Sequence, residues 1–149
     1  VTSPVTEAAL AALTARLVAM VPSAVVERAR RAPVDIESET LPRLVLHIDN
    51  LDADASAEPG ATHYRIGLTV VGTAIGTGDL DAQQAVLTLH ASVVAALAGW
   101  TPSTTGLGDV AELGADFLLH DVDQSATPAG EFAARFELLA VAPTGNPYL

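Results

Sequence analysis

The sequence predicts an α+β domain: a mostly antiparallel sheet of about four to five strands, with two main helices packed on one of its faces. Three observations predict it. Two segments carry apolar residues at steps of three and four, the spacing of one helix face. Several others carry apolar residues at every second position, the spacing of one sheet face. Their order along the chain is helix, two strands, helix, two strands, which favours an antiparallel sheet with its helices gathered on one side.

The first helix starts at Ser3-Pro4, a capping hydroxyl followed by a proline suited to the first helical position. Leu10, Leu13, Leu17 and Met20 form its apolar face, and Pro22 ends it. Residues 24–34 read as a short extended piece, and 41–48 as a strand. In that strand Leu44, Leu46 and Ile48 face one way, with Arg43, Val45 and His47 opposite. Residues 49–60, acidic and ending in Pro-Gly, read as a loop. The alternation from Tyr64 to Val71 is cleaner, with Tyr64, Ile66, Leu68 and Val70 on the core side. Gly72, Gly76 and Gly78 break this strand, and Asp79 is placed to cap a long second helix that ends at Gly99.

That helix has an unusual pattern. Asp81, Gln84, Thr88 and Ser92 form one thin polar stripe, and nearly every other residue is apolar, from Ala85 and Val86 to Val94 and Leu97. A helix with so narrow a polar face is covered on more than one side, and the sheet of a small domain covers only one. Ala91 and Val94 are therefore expected at a contact with the first helix or with another subunit. A loop at 99–114 and a strand from Ala115 to Asp121 follow. The last strand holds Phe132, Ala134, Phe136, Leu138 and Ala140 to the core and Glu131, Arg135 and Glu137 outward. Residues 143–149 read as a loose tail of a single domain spanning 1–149, close to the commonest domain length.

Composition excludes several chemistries. There is no cysteine, so disulfides, thiolate metal sites and cysteine nucleophiles are absent. All seven basic residues are arginine, which removes the phosphate-loop lysine, Schiff-base chemistry and pyridoxal phosphate. A net charge of −11 argues against a broad grip on a phosphate backbone. No run approaches the roughly 18–20 consecutive apolar residues of a membrane span. Val1-Thr2-Ser3-Pro4 lacks a basic leader, so a soluble chain without a membrane partner is expected.

Motif searches give little. Asp52, Asp54, Ser56 and Glu58 have the alternate spacing of a calcium loop's first ligands, but Ala57 and His63 stand where that loop needs glycine and glutamate. The glycines at 72, 76 and 78 are in the wrong order for a dinucleotide loop. His47, His63, His90 and His120 have no metal-binding spacing, and His120 beside Asp121 and Asp123 reads as structural or exposed. No catalytic residue, cofactor or metal site is expected. Arg28, Arg30 and Arg31 are the one concentration of cations. They read either as a solvated edge that resists strand addition or as a docking patch for an acidic partner.

One resemblance covers most of the chain, from about Thr6 to Val141. The helix leads through "V-P-x-x-V" into the arginine-rich strand. "L-P-R-L-V-L" and the acidic segment precede "Y-R-I-G-L-T-V-V", and a Gly/Asp turn opens the helix "D-A-Q-Q-A-V-L-T-L-H-A-S-V-V-A-A-L". In element order, spacing and texture this resembles the tail terminator, or tail completion, proteins of long-tailed bacteriophages and related gene transfer agents. The resemblance implies a homo-oligomeric ring of six copies that caps the tail tube and ends its polymerisation. The ring would present the surface joining the head–tail connector or stopper protein, with double-stranded DNA passing through unread. It implies residence in the virion at the head–tail junction, and in the host cytoplasm before assembly. It carries no residue motif. The alternatives are a head-completion or connector-stopper ring protein and, from a different class, a small-ligand-binding α+β domain.

Overall fold

A computed structural model describes residues 3–30, 32–120 and 126–148. Its elements are α1 (Val5–Met20), β1 (Val25–Arg28), β2 (Arg43–Glu58), β3 (Ala61–Ile75), α2 (Asp79–Leu97), β4 (Leu107–Leu119) and β5 (Ala129–Pro143). The strands form one sheet in the order β1-β2-β3-β5-β4. β1 lies parallel to β2, and every other pairing is antiparallel. The expected α+β class and mostly antiparallel sheet are therefore present.

The spine of the sheet is β3 with β5, paired from Ala61 beside Pro143 to Ile75 beside Ala129. Alternation puts Ile66, Leu68 and Val70 of β3 on the same face as Phe132, Ala134, Phe136, Leu138 and Ala140 of β5. Both helices cover this face. α1 brings Val5, Ala9, Leu13 and Leu17, one residue per turn; α2 brings Ala82, Val86, Leu89, Val93, Ala96 and Leu97. α1 sits over β1 and β2, and α2 over β3, β5 and β4. Arg16 of α1 fastens the two helices: its Nε donates to the Ala96 carbonyl at 3.0 Å, and its guanidinium lies 5.0 Å from the Trp100 ring centre. Met20, placed by spacing on the apolar face, is half exposed because the helix runs past the core there.

Several expectations need correction. The acidic stretch 49–60 is not a loop. β2 continues to Glu58, and only Pro59-Gly60 turn, with Gly60 at φ 79°. The helices do not cover this end of the sheet, so its polar side chains stay in water. Meanwhile β3, already held by β5, offers a fixed ladder to bond against. Asp54 accepts from the Ser56 amide and hydroxyl at 2.9 and 2.7 Å where the register shifts. Residues 99–114 are likewise not all loop. β4 begins at Leu107, buries Leu107 and Val110, and carries Gly114 (φ 129°) at a bulge against β5. Leu113 is the extra residue of that bulge, and Gly114, with its positive φ, follows it.

Gly72 does not break β3; it lies within the strand because a side chain there would sit 2.2 Å from the Phe132 ring. Neither expected cap forms. Pro4 holds the N-cap position of α1 with no side-chain cap, and Gly78 rather than Asp79 precedes α2. The freed donors find other acceptors: Val5 N–H reaches the Pro147 carbonyl at 2.8 Å, and Thr77 N–H reaches the Asp81 carboxylate at 2.9 Å. The Val5 bond, with a bridge between Pro4 and Tyr148, ties the last described residues to the start of α1.

The segment between β1 and β2 crosses the sheet face away from the helices. It buries Val45 and Thr73, which alternation alone would leave in water. Glu37 holds it at its far end, accepting from the Thr127 amide and hydroxyl at 3.2 and 3.1 Å.

Candidate assembly interface

α2 carries exposed apolar surface in one run along the helix. From Ala82 to Ala98 it carries no charged residue. One side enters the core. The expected polar stripe Asp81, Gln84, Thr88 and Ser92 borders a groove of about 390 Å³ that reaches Val21, Ser23, Leu41 and Pro42. The side turned outward and toward β4 is apolar. Leu80 is 67% exposed and Leu87 47%, with Ala91 and Ala95 also in solvent. Beside them Phe117, Leu118 and Leu119 at the end of β4 are 48%, 50% and 42% exposed. Leu87, Gln83 and Val86 with these three residues line a shallow depression of about 120 Å³. Exposed leucines on their own need no explanation, but a contiguous run of them across two elements does.

Ala91 lies on this surface, whereas Val94 is partly buried and packs on the core cluster. The β4 half of the patch escaped the sequence reading. Its signal was Phe117-Leu118-Leu119, three apolar residues in succession, which breaks alternation and puts apolar side chains on both faces of an edge strand. Below the patch, His90 stands edge-on to Phe117 and Phe132 at 5.0 and 5.2 Å. Its Nε2 is buried without a hydrogen-bond partner among the described residues. α2 meets the length and hydropathy of a membrane span, yet one side of it is committed to the sheet and α1.

The arginine cluster is engaged within the chain. Arg28 forks onto the Glu7 carboxylate at 2.8 and 2.6 Å, joining β1 to α1. This hydrogen-bonded pair holds Glu7 below its ordinary pKa and Arg28 above its own. Arg30 bonds Glu27 and Glu39 and the carbonyls of Ala32 and Pro33, which anchors the segment that crosses the sheet. Arg31 lies outside the described residues, as do Asp121 and Asp123. Of the other described arginines, Arg43 bonds Glu27, Arg135 bonds Asp116, and Arg65 approaches Glu137 at 4.0 Å.

A pH dependence follows. Glu39 is held below its ordinary 4.5, first by the Arg30 hydrogen bond and then by the Asp35 amide. A carboxylate with a depressed folded pKa stabilises above its unfolded value and loses that contribution as pH falls through the folded one. Hydrogen exchange at Asp35 and its neighbours, corrected for intrinsic rates, should therefore quicken as pH drops below 4.5 while the core strands stay protected. Arg30→Ala should produce the same local loss at neutral pH.

The histidines are dispersed over β2, β3, α2 and the end of β4. His63 pairs with Glu58 at 3.1 Å, and His120 with Glu131 at 3.6 Å. Among the described residues, no group of three or more His, Asp or Glu is arranged to hold a metal ion.

No protein-family model matches the chain, and no curated protein does. Among solved structures it is similar to a chain in the virion of a native gene transfer agent particle. The two are 16% identical, the match covers 89% of this chain and 93% of that one, and the TM-score is 0.56. At that identity the likeness establishes a shared fold.

Proposed function

We propose that this chain is a structural virion protein that works by assembling into a ring. In its finer form the ring has six copies at the end of a tail tube, where it halts polymerisation and offers the surface to which the head connector or stopper protein joins. The observation that carries this reading is the uncharged, apolar outer side of α2, with its continuation onto β4, on a chain of net charge −11. A protein so acidic repels its own copies everywhere except where charge is absent, and there it exposes leucine and phenylalanine.

Two further features support it. The fold is shared over nearly the full length with a chain of a gene transfer agent virion. In addition, the described arginines other than the exposed Arg65 bond the chain's own carboxylates, carbonyls or Trp100, which leaves few cations for a phosphate backbone. Such a surface suits a channel through which DNA slides without sticking.

Light scattering and negative-stain imaging, with and without assembled tail tubes, test the proposal. The expected result is a sixfold ring, or density closing the ends of tubes. A compact monomer that ignores tubes would overturn it and turn attention to ligand screening.

A further inference from the structure

We infer that the apolar side of α2 is one half of a head-to-tail contact. The other half is the outer face of α1, formed by Ala11, Ala15, Val18 and Ala19, on a second copy of this chain. The inference rests on the ring reading above and deepens it by naming both surfaces.

Charge selects the two faces. α2 is uncharged from Ala82 to Ala98. α1 carries only Glu7 and Arg16. Glu7 is neutralised by Arg28, and Arg16 is turned inward onto Ala96 and Trp100. What remains exposed on α1 is Ala11, Ala15, Ala19 and Val18, the last 56% exposed, with Met20 at the helix's C-terminal end. Two acidic copies can approach through such surfaces without bringing carboxylates together.

Position then bears on the mode of contact. α1 lies over β1 and β2 at one edge of the sheet, and α2 reaches β4 at the other edge. Each uncharged face lies opposite its helix's buried stripe and so turns away from the sheet, with α1's nearer the β1 edge and α2's nearer the β4 edge. Two different patches can meet head to tail, repeating from copy to copy until a ring closes, or reciprocally in a two-fold pair; the ring reading requires the first. A symmetric contact of α2 with α2 would stop at two copies and leave Val18 in water.

Shape agrees. The depression between Leu87 and Phe117–Leu119 has room for one aliphatic side chain, and on α1 Val18 stands out among alanines. Small residues on both helices let their axes come close enough for that insertion.

The absence of cysteine makes a direct test available. Ala15→Cys and Ala91→Cys chains, one bearing a mass tag, are mixed and joined with a short bis-maleimide. The mixed product should exceed either self-linked product roughly tenfold, a preference worth about 1.4 kcal/mol. A chain carrying both cysteines should give a ladder that ends at one closed species. Ala55→Cys on the exposed hairpin supplies the rate of chance collision. A dominant Ala91–Ala91 link would show a symmetric contact and overturn the inference, and so would linkage no faster than that of the Ala55 control. A ladder that ends at two copies would show a reciprocal two-fold pair and overturn the head-to-tail mode. If the mixed link forms and the ladder closes at a number above two other than six, or the rings ignore tail tubes, the contact stands and the tail-terminator reading falls.

Discussion

Ala91→Glu should leave the chain folded, with an unchanged melting temperature, and unable to assemble. Ala91 faces water on the outer side of α2, so a carboxylate there costs the isolated chain almost nothing, within about 0.5 kcal/mol. In a subunit contact the same carboxylate is buried without a partner. That costs on the order of 3–5 kcal/mol, enough to weaken association by roughly 150-fold or more. No rescue by a nearby cation is at hand, because α1 and α2 carry only Arg16, which is already occupied, and there is no lysine. Sedimentation velocity and thermal circular dichroism on the same sample separate the two effects. Val94→Glu is the instructive comparison. Val94 is packed on the core cluster, so charge there should lower the melting temperature as well as block assembly. An Ala91→Glu protein that assembles like the parent would remove α2 from any interface.

Phe136→Ala should have the largest effect on the fold itself. Phe136 is fully buried at the centre of β5, beside Leu68 of β3 and Glu112 of β4. Truncating a buried phenylalanine removes its apolar contacts and leaves a cavity that close-packed neighbours fill only in part, a loss of about 3–5 kcal/mol. Domains are stable by roughly 5–15 kcal/mol, so this is a large fraction of the total. For a chain of this length the melting temperature should fall by roughly 6–20 °C, measured by calorimetry or thermal circular dichroism. A fall of only a degree or two would mean that the two helices do not close over β5 as described.

Both predictions depend on features readable in the sequence, but to different depths. Phe136 could be placed in the core from its own strand, since alternate residues from Phe132 to Ala140 are apolar while Glu131, Arg135 and Glu137 fall on the other face. Ala91 was singled out because α2 has too few polar residues to face water all round. That pattern could show that something besides the sheet covers the helix, but not which side. The structure divides the surface of α2, giving one flank to the polar groove beside Pro42 and leaving the other apolar beside β4.

The arginines show what composition leaves open. Three cations within four residues read either as a solvated strand edge or as a docking patch, and two of them also hold the chain's own carboxylates, Glu7 and Glu39, 21 and 9 residues away in sequence. Composition counts charges but cannot pair them across such distances.

The apolar periodicities of this sequence by themselves determined two helices, the inward face of each central strand and the α+β class. Those features depend on spacing within one segment, and burial of an apolar face is the same requirement wherever the segment lies. Tertiary structure alone decided the rest. The acidic run 49–58 is strand because β3, held on its far side by β5, offers it a ladder of hydrogen bonds while the helices leave both its faces in water. A bulge forms at Leu113-Gly114 because Glu112 and Gly114 pair with the consecutive residues Phe136 and Arg135 of β5. Phe117 to Leu119 and the outer side of α2 form one surface because the β5–β4 pairing brings the end of β4 under that helix. Each of these depends on a neighbour distant in the chain, and local pattern carries no record of which neighbour a segment will meet.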